Sequence, residues 1–125
     1  MRKRMKELER IMKEHQMDME ELENKIKELE QNRPPMGKYG REALRFIHGL
    51  DNYRYVQLLM SGKLFERILA REEQAQTSLR TIITHQEDME KIESMENFME
   101  KVAARRRIKL EADNIVMREI VLRPM

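Results

Sequence analysis

The stretch Tyr55–Ile68, YVQLLMSGKLFERI, holds two apolar helical patterns parted by Ser61-Gly62. Tyr55, Leu58 and Leu59 share one face of a helix predicted over 52–60, and Phe65 and Ile68 open the face of the next. Glycine tolerates the left-handed conformation in which helices commonly end, so Gly62 reads as a stop. The Gly-Lys pair also invites comparison with a phosphate loop. Such a loop carries a glycine five positions before its Gly-Lys and a Ser or Thr after it, so that successive amides cradle phosphate and a hydroxyl holds magnesium. Here those positions are Gln57 and Leu64. The stretch is a packed corner between two helices, with Lys63 facing solvent, and not a nucleotide site.

Working outward, a long helix starts at Lys63. Phe65, Ile68, Ala75, Leu79, Ile82 and Met89 follow heptad steps, with Glu72 and Gln86 as polar interruptions. The pattern weakens over 88–95, where Ser94 is the expected cap of a new helix. Met95, Met99 and Val102 share one face of it, and Ile108, Ala112 and Ile115 mark a face further on, until Pro124. The β-branched tail IVMREIVL leaves a short strand open as an alternative. On the other side, residues 41–49 are predicted as a short helix with Leu44 and Ile47 or His48 on one face. Gly49 is its expected stop and Asp51 the cap of the next helix.

Residues 1–32 show a four-three repeat without a slip. Met5, Met12, Met19 and Ile26 fall at one seam position, and Met1, Leu8, His15, Leu22 and Leu29 at the other. The expectation is a coiled-coil helix of ~48 Å at ~1.5 Å per residue. An isolated helix of this kind exposes its stripe, so it needs a partner. A homodimer through Met5, Leu8, Met12, Met19, Leu22, Ile26 and Leu29 is expected, with the strand orientation open. The alternative is that the stripe packs back on later helices of the same chain. His15 is read as a polar residue setting register, rather than a metal ligand. Asn32-Arg33-Pro34-Pro35 ends the helix because successive prolines cannot continue it. The organisation expected is a coiled-coil arm over 1–32, a Pro/Gly hinge over 33–40 and a helical domain over 41–125. The fold class is all-α: an N-terminal coiled-coil helix, a proline hinge, two short helices and a long helical hairpin.

Composition agrees with long helices. Of 125 residues, 38% are charged and 5% aromatic, with 12 methionines and no tryptophan. The absence of cysteine excludes disulfides and thiolate metal sites and fits a reducing, cytoplasmic setting. No signal-peptide pattern follows the basic start, and no apolar run approaches the ~18 residues of a membrane span. The net charge of +2 conceals alternating blocks: +4 over residues 1–13, −5 over 14–30, +3 over 37–64, −3 over 65–94 and +2 over 95–125.

Catalytic sets are poor. His15, His48 and His85 occur singly, without a second ligand at metal-binding spacing, and the carboxylates lie in solvated helical runs. No enzyme activity, cofactor or metal is expected. The strongest basic cluster is Arg105-Arg106-Arg107, flanked by Lys101 and Lys109. Successive residues on a helix are ~100° apart, so three arginines fan out and cannot share one flat face. They can meet phosphate, or acids such as Glu72, Glu73 or Glu87 of the preceding helix. Arg41, Arg45 and Arg54 make 41–60 basic as well, in a helix-turn-helix-like shape that lacks a base-reading set of side chains.

Gly40, Leu44-Arg45-Phe46, Tyr55, Leu58-Leu59, Ser61-Gly62-Lys63-Leu64 and Gln74-Ala75 stand in an order that resembles TnpV, a family of transposon-encoded bacterial proteins. Glu96-Asn97, Ile115-Val116 and Glu119-Ile120 continue the resemblance, which spans residues 37–122 and leaves the arm outside. The chain departs from the family pattern in having Lys101 in place of a tryptophan, and alanine and arginine within 103–106 in place of glycine and asparagine. The resemblance implies a mobile-element setting and no mechanism. The expected function is that of a non-enzymatic accessory or regulatory protein of a mobile genetic element. It would act on DNA or on a DNA-processing complex through Arg41, Arg45, Lys63, Arg105, Arg106 and Arg107. The alternative is a protein–protein inhibitor or adaptor that blocks a host nucleic-acid enzyme, in the manner of an anti-CRISPR inhibitor. The expected partners are a second copy through residues 1–32 and nucleic acid or a nucleic-acid-processing protein, with no membrane.

Overall fold

The computed structural model describes residues 2–84, 92 and 94–125, except the side chains of residues 2–5. Six helices account for most of these residues: α1 (Arg2–His15), α2 (Met19–Gln31), α3 (Lys38–Leu50), α4 (Asn52–Met60), α5 (Leu64–Thr84) and α6 (Phe98–Val116). A π-helical turn, Met117–Val121, follows α6. No strand occurs among the described residues, so the fold is all-α. The tail read as a candidate strand is this π turn instead, closed by the bond from the Leu122 N–H to the Met117 carbonyl at 2.8 Å.

The α4–α5 corner forms as its residues dictate. Asp51 accepts the Arg54 N–H at 3.0 Å and starts α4. At the other end Gly62 has φ +77°, the Gly62 N–H bonds the Leu59 carbonyl at 3.2 Å, and the Lys63 N–H bonds Leu58 at 3.1 Å. These two bonds are the paired closure of a Schellman motif, which needs a residue free of the left-handed steric penalty at the centre. Tyr55, Leu58, Leu59, Leu64 and Ile68 are all buried around this corner. The core then extends through α5, which packs against α3, α4, α6 and the π turn.

The single helix expected over 1–32 is two helices. Gln16 takes the left-handed conformation at φ 54°, and Asp18 caps α2 by accepting the Glu21 N–H at 2.8 Å. Asp18 with Glu21 three positions on is the spacing of a capping box, present in the sequence and hidden by the heptad pattern. Both halves pack on α4. A nine-residue helix is ~13 Å long and cannot cover a straight ~48 Å partner. The break lets α1 and α2 each use it. Ile11, which lies off the expected seam, is fully buried, as is Leu22, while Leu8, Met12, Ile26 and Leu29 pack partly against the same core. Met19 stays exposed, as does His15 at the end of α1. The Met5 side chain lies outside the described residues.

Further boundaries move. α3 begins at Lys38, not 41, and continues through Gly49 to Leu50. Gly40 is therefore helical and buried. The Glu72 carboxylate of α5 lies 2.8 Å from where a Gly40 Cβ would sit, so glycine makes room for this acid at the positive end of α3. Glu72, read from sequence as an interruption of the apolar stripe, thus faces α3. Asn97, not Ser94, caps α6, its side chain accepting the N–H groups of Met99 at 2.9 Å and Glu100 at 3.2 Å. His85, Gln86, Glu87 and Met89 lie outside the described residues.

Candidate functional site

One face of α6 is spent on the core. Ile108, Ala112 and Val116, four residues apart, are all buried against the rest of the chain. The same helix carries the most exposed large apolar side chains among the described residues: Phe98 is 72% exposed, Met99 74% and Leu110 64%. Met95, Met99 and Val102, expected on one face of this helix, do not all belong to it: Met95 precedes the Asn97 cap, and within α6 Met99 is exposed while Val102 is half-buried. The fully buried positions of α6 begin further along, at Ile108.

Arg105, Arg106 and Arg107 are all exposed. Arg106 lines a groove of about 260 Å³ with Lys109, Leu110, Asp113, Leu79 and the first turn of α3. There the Tyr39 hydroxyl donates to Asp113 Oδ1 at 2.5 Å, and Lys38 Nζ donates to Asp113 Oδ2 at 3.0 Å. Burial alone would raise the Asp113 pKa. The hydrogen bonds from Tyr39 and Lys38, and the charges of Lys38 and Lys109, outweigh it and hold the carboxyl below its ordinary value. Burial and the same carboxylate push the Tyr39 hydroxyl well above the ordinary phenol value. Asp113 is thereby engaged on both oxygens, and the groove rim keeps a surplus of positive charge over an apolar floor.

The other expected residues do not join this groove. Arg41 and Arg45 are exposed on α3, with Arg45 paired to Glu42 at 3.3 Å. Lys63 is exposed on the turn before α5. Sequence reasoning missed Lys38, Tyr39 and Asp113. The first two lay in the stretch read as a hinge, and Asp113 lies 74 residues beyond Tyr39.

Two further arginines anchor the end of the chain. Arg71 of α5 donates to the carbonyls of Val121, Arg123 and Pro124, and Arg54 Nε to that of Met125 at 3.1 Å. Burial, together with the charge of Arg123, lowers the Arg71 pKa. These bonds satisfy carbonyls left open where the helix ends and hold the π turn in place.

Among the described residues no three His, Asp or Glu side chains converge as a metal site, and no helix is long and apolar enough to cross a membrane. In comparison with known proteins, the family model for the transposon-encoded protein TnpV matches residues 24–121. The match begins at Asn24, within α2, so residues 24–32 of the arm are part of the family pattern and not outside it. Neither a curated protein nor a solved structure matches the chain.

Proposed function

The chain belongs to the TnpV family of transposon-encoded proteins, and from that premise we propose that it is a non-enzymatic accessory protein of a mobile element, contacting nucleic acid alone or within a DNA-processing complex. The observation that carries this reading is the exposure of Arg105, Arg106 and Arg107 on α6, beside Lys109 and Lys38 and a carboxylate already engaged. Guanidinium groups suit phosphate because their planar forks match its oxygens. Their fan around the helix favours contact with a phosphate backbone over base reading. Arg41, Arg45 and Lys63 form a secondary patch.

The test is binding of labelled duplex and single-stranded DNA across a salt series. Replacing Arg105, Arg106 and Arg107 by Ala together should weaken binding at least ~10-fold and flatten its salt dependence. Absence of binding at low salt, or binding unchanged by the replacement, overturns the reading.

A second reading is a protein–protein inhibitor or adaptor. It is favoured by α2, which turns Leu22 inward and leaves Glu20, Glu21, Glu23, Glu28 and Glu30 exposed. A rod of carboxylates can occupy the basic groove of a nucleic-acid enzyme, an anti-CRISPR target included. Co-purification of a nuclease or recombinase after digestion of all nucleic acid, lost on Glu→Gln changes in α2, would favour this reading over the first.

A further inference from the structure

Lys38, Arg41 and Arg45 on α3, and Arg106, Lys109 and Asp113 on α6, repeat one spacing: each set stands at i, i+3 and i+7. At ~100° per residue each set lies within an arc of about 60° on its helix. On α3 that stripe is at least about 100° away from each of the buried Tyr39, Gly40, Ala43 and Ile47. The two stripes meet where Lys38 Nζ donates to Asp113 Oδ2 at 3.0 Å, and Lys38, Arg106, Lys109 and Asp113 line one groove. Beyond that meeting point α3 packs against the π turn, Met117–Val121, which continues α6 past Asp113. α3 therefore runs onward beside the end of α6 rather than back over Arg106. The two stripes join into one track in the order Arg106, Lys109, Lys38, Arg41, Arg45.

We infer, resting on the nucleic-acid reading above, that this track carries the backbone of a DNA duplex over ~21 Å, or about six base pairs. Its five cations stand against two acids, Asp113 and Glu42, a surplus of three where the whole chain carries +2. Glu42 is paired with Arg45 at 3.3 Å, and Asp113 is held on both oxygens by Lys38 and Tyr39. Among neighbouring acids, Glu72 lies against Gly37 and Gly40 on the side of α3 that faces α5, and Glu119 is paired with Arg118 at 3.8 Å. With Asp113 and the Tyr39 hydroxyl committed to each other, the groove offers no free acceptor to a base edge, so the contact is with phosphate and independent of sequence. No aromatic side chain lies on the track for an unpaired base to stack on, which favours a duplex over a single strand. Of the three consecutive arginines only Arg106 belongs to the track. Arg107 lies ~100° from Arg106 and ~160° from Lys109, on the other side of α6.

Arg41 and Lys109 are exposed and sit on the two arms of the track. In duplex binding across a salt series, Arg41→Ala with Lys109→Ala should weaken binding at least ~10-fold and flatten the log–log salt slope by about 2. Arg41→Lys with Lys109→Arg should keep the slope. Arg10→Ala with Lys27→Ala removes the same charge from exposed positions of the arm and should shift the slope by under ~0.5. Helicity should be unchanged in all three, and duplexes of unrelated sequence should bind the parent within ~3-fold of one another. A parent that binds no duplex at low salt overturns the nucleic-acid reading and the track with it. Duplex binding that is lost on replacing Arg105, Arg106 and Arg107 together, yet keeps its slope in Arg41→Ala with Lys109→Ala, overturns the track alone. So does an equal loss in the arm variant, or a preference for single strands.

Discussion

The N-terminal arm and α6 are both amphipathic, and they end up opposite in fate. The arm has the stronger repeat, yet it breaks at Gln16 and turns Ile11 and Leu22 inward. α6 has the weaker repeat, yet it presents Phe98, Met99 and Leu110 to solvent. Periodicity states which residues share a side. What covers that side depends on the length of the neighbouring surface and on where a cap can form. For the arm the neighbour is the short α4, and Asp18 supplies the cap. For α6 the fully buried positions begin at Ile108, while Phe98 and Met99 in its first turn are exposed.

The largest expected effect separates buried from exposed positions of one repeat. Leu22→Ala should cost ~2–4 kcal/mol in denaturant unfolding, because it opens a cavity in a closed core. Met19→Ala, three residues earlier on the same stripe, should cost under ~1 kcal/mol. Equal losses at both sites, growing as protein is diluted, would restore an intermolecular coil.

Next in size, the two regions should respond at opposite ends of the pH scale. Tyr55 of α4 lies under the arm, and its hydroxyl is pushed up to about 12 by burial and by the Glu30 carboxylate, with Arg33 pulling the other way. A pKa raised in the folded state gives stability that is complete below the unfolded value, 10.0, and lost as pH rises toward 12. Asp113 of α6 is depressed, so its contribution is present above the ordinary carboxylate value and lost as pH falls through the folded one. Alkaline melting should weaken in Tyr55→Phe, and acid melting in Asp113→Asn. A shared response in both variants would show that the regions unfold as one unit.

Smaller still, the two caps can be compared. Asp18→Ala and Asn97→Ala should each cost ~1 kcal/mol, since each removes the acceptor for otherwise open N–H groups. Only Asp18→Ala should make the arm more helical across residues 16–18, read from backbone chemical shifts. The smallest expected effect is Leu110→Ala, within ~0.5 kcal/mol in denaturant unfolding, because the side chain is exposed.

Much of this fold is legible in residues whose meaning is local. Asp51 and Gly62 bound α4 from sequence alone, and Ile68 and Ala75 show the inward side of α5. What stayed hidden depends on a partner distant in sequence. Gly40 looks like part of a hinge until Glu72 is placed beside it. Glu72 looks like a flaw in a stripe until α3 points at it. The candidate site divides in the same way. Arg105, Arg106 and Arg107 announce themselves as a run, whereas the pairing of Lys38 and Tyr39 with Asp113 has no spacing to betray it.

The clamp on the tail has a consequence for how order is measured. Arg71 and Arg54 engage carbonyl oxygens of Val121, Arg123, Pro124 and Met125. Such bonds immobilise the chain but do not occupy amide hydrogens. Deuterium uptake, which reads only those hydrogens, would score Arg123 and Met125 as open, whereas a nuclear-spin relaxation measurement at their carbons would find them held. Residues 123–125 are therefore a place where rigidity and exchange protection part company, one step beyond the protected Leu122 N–H.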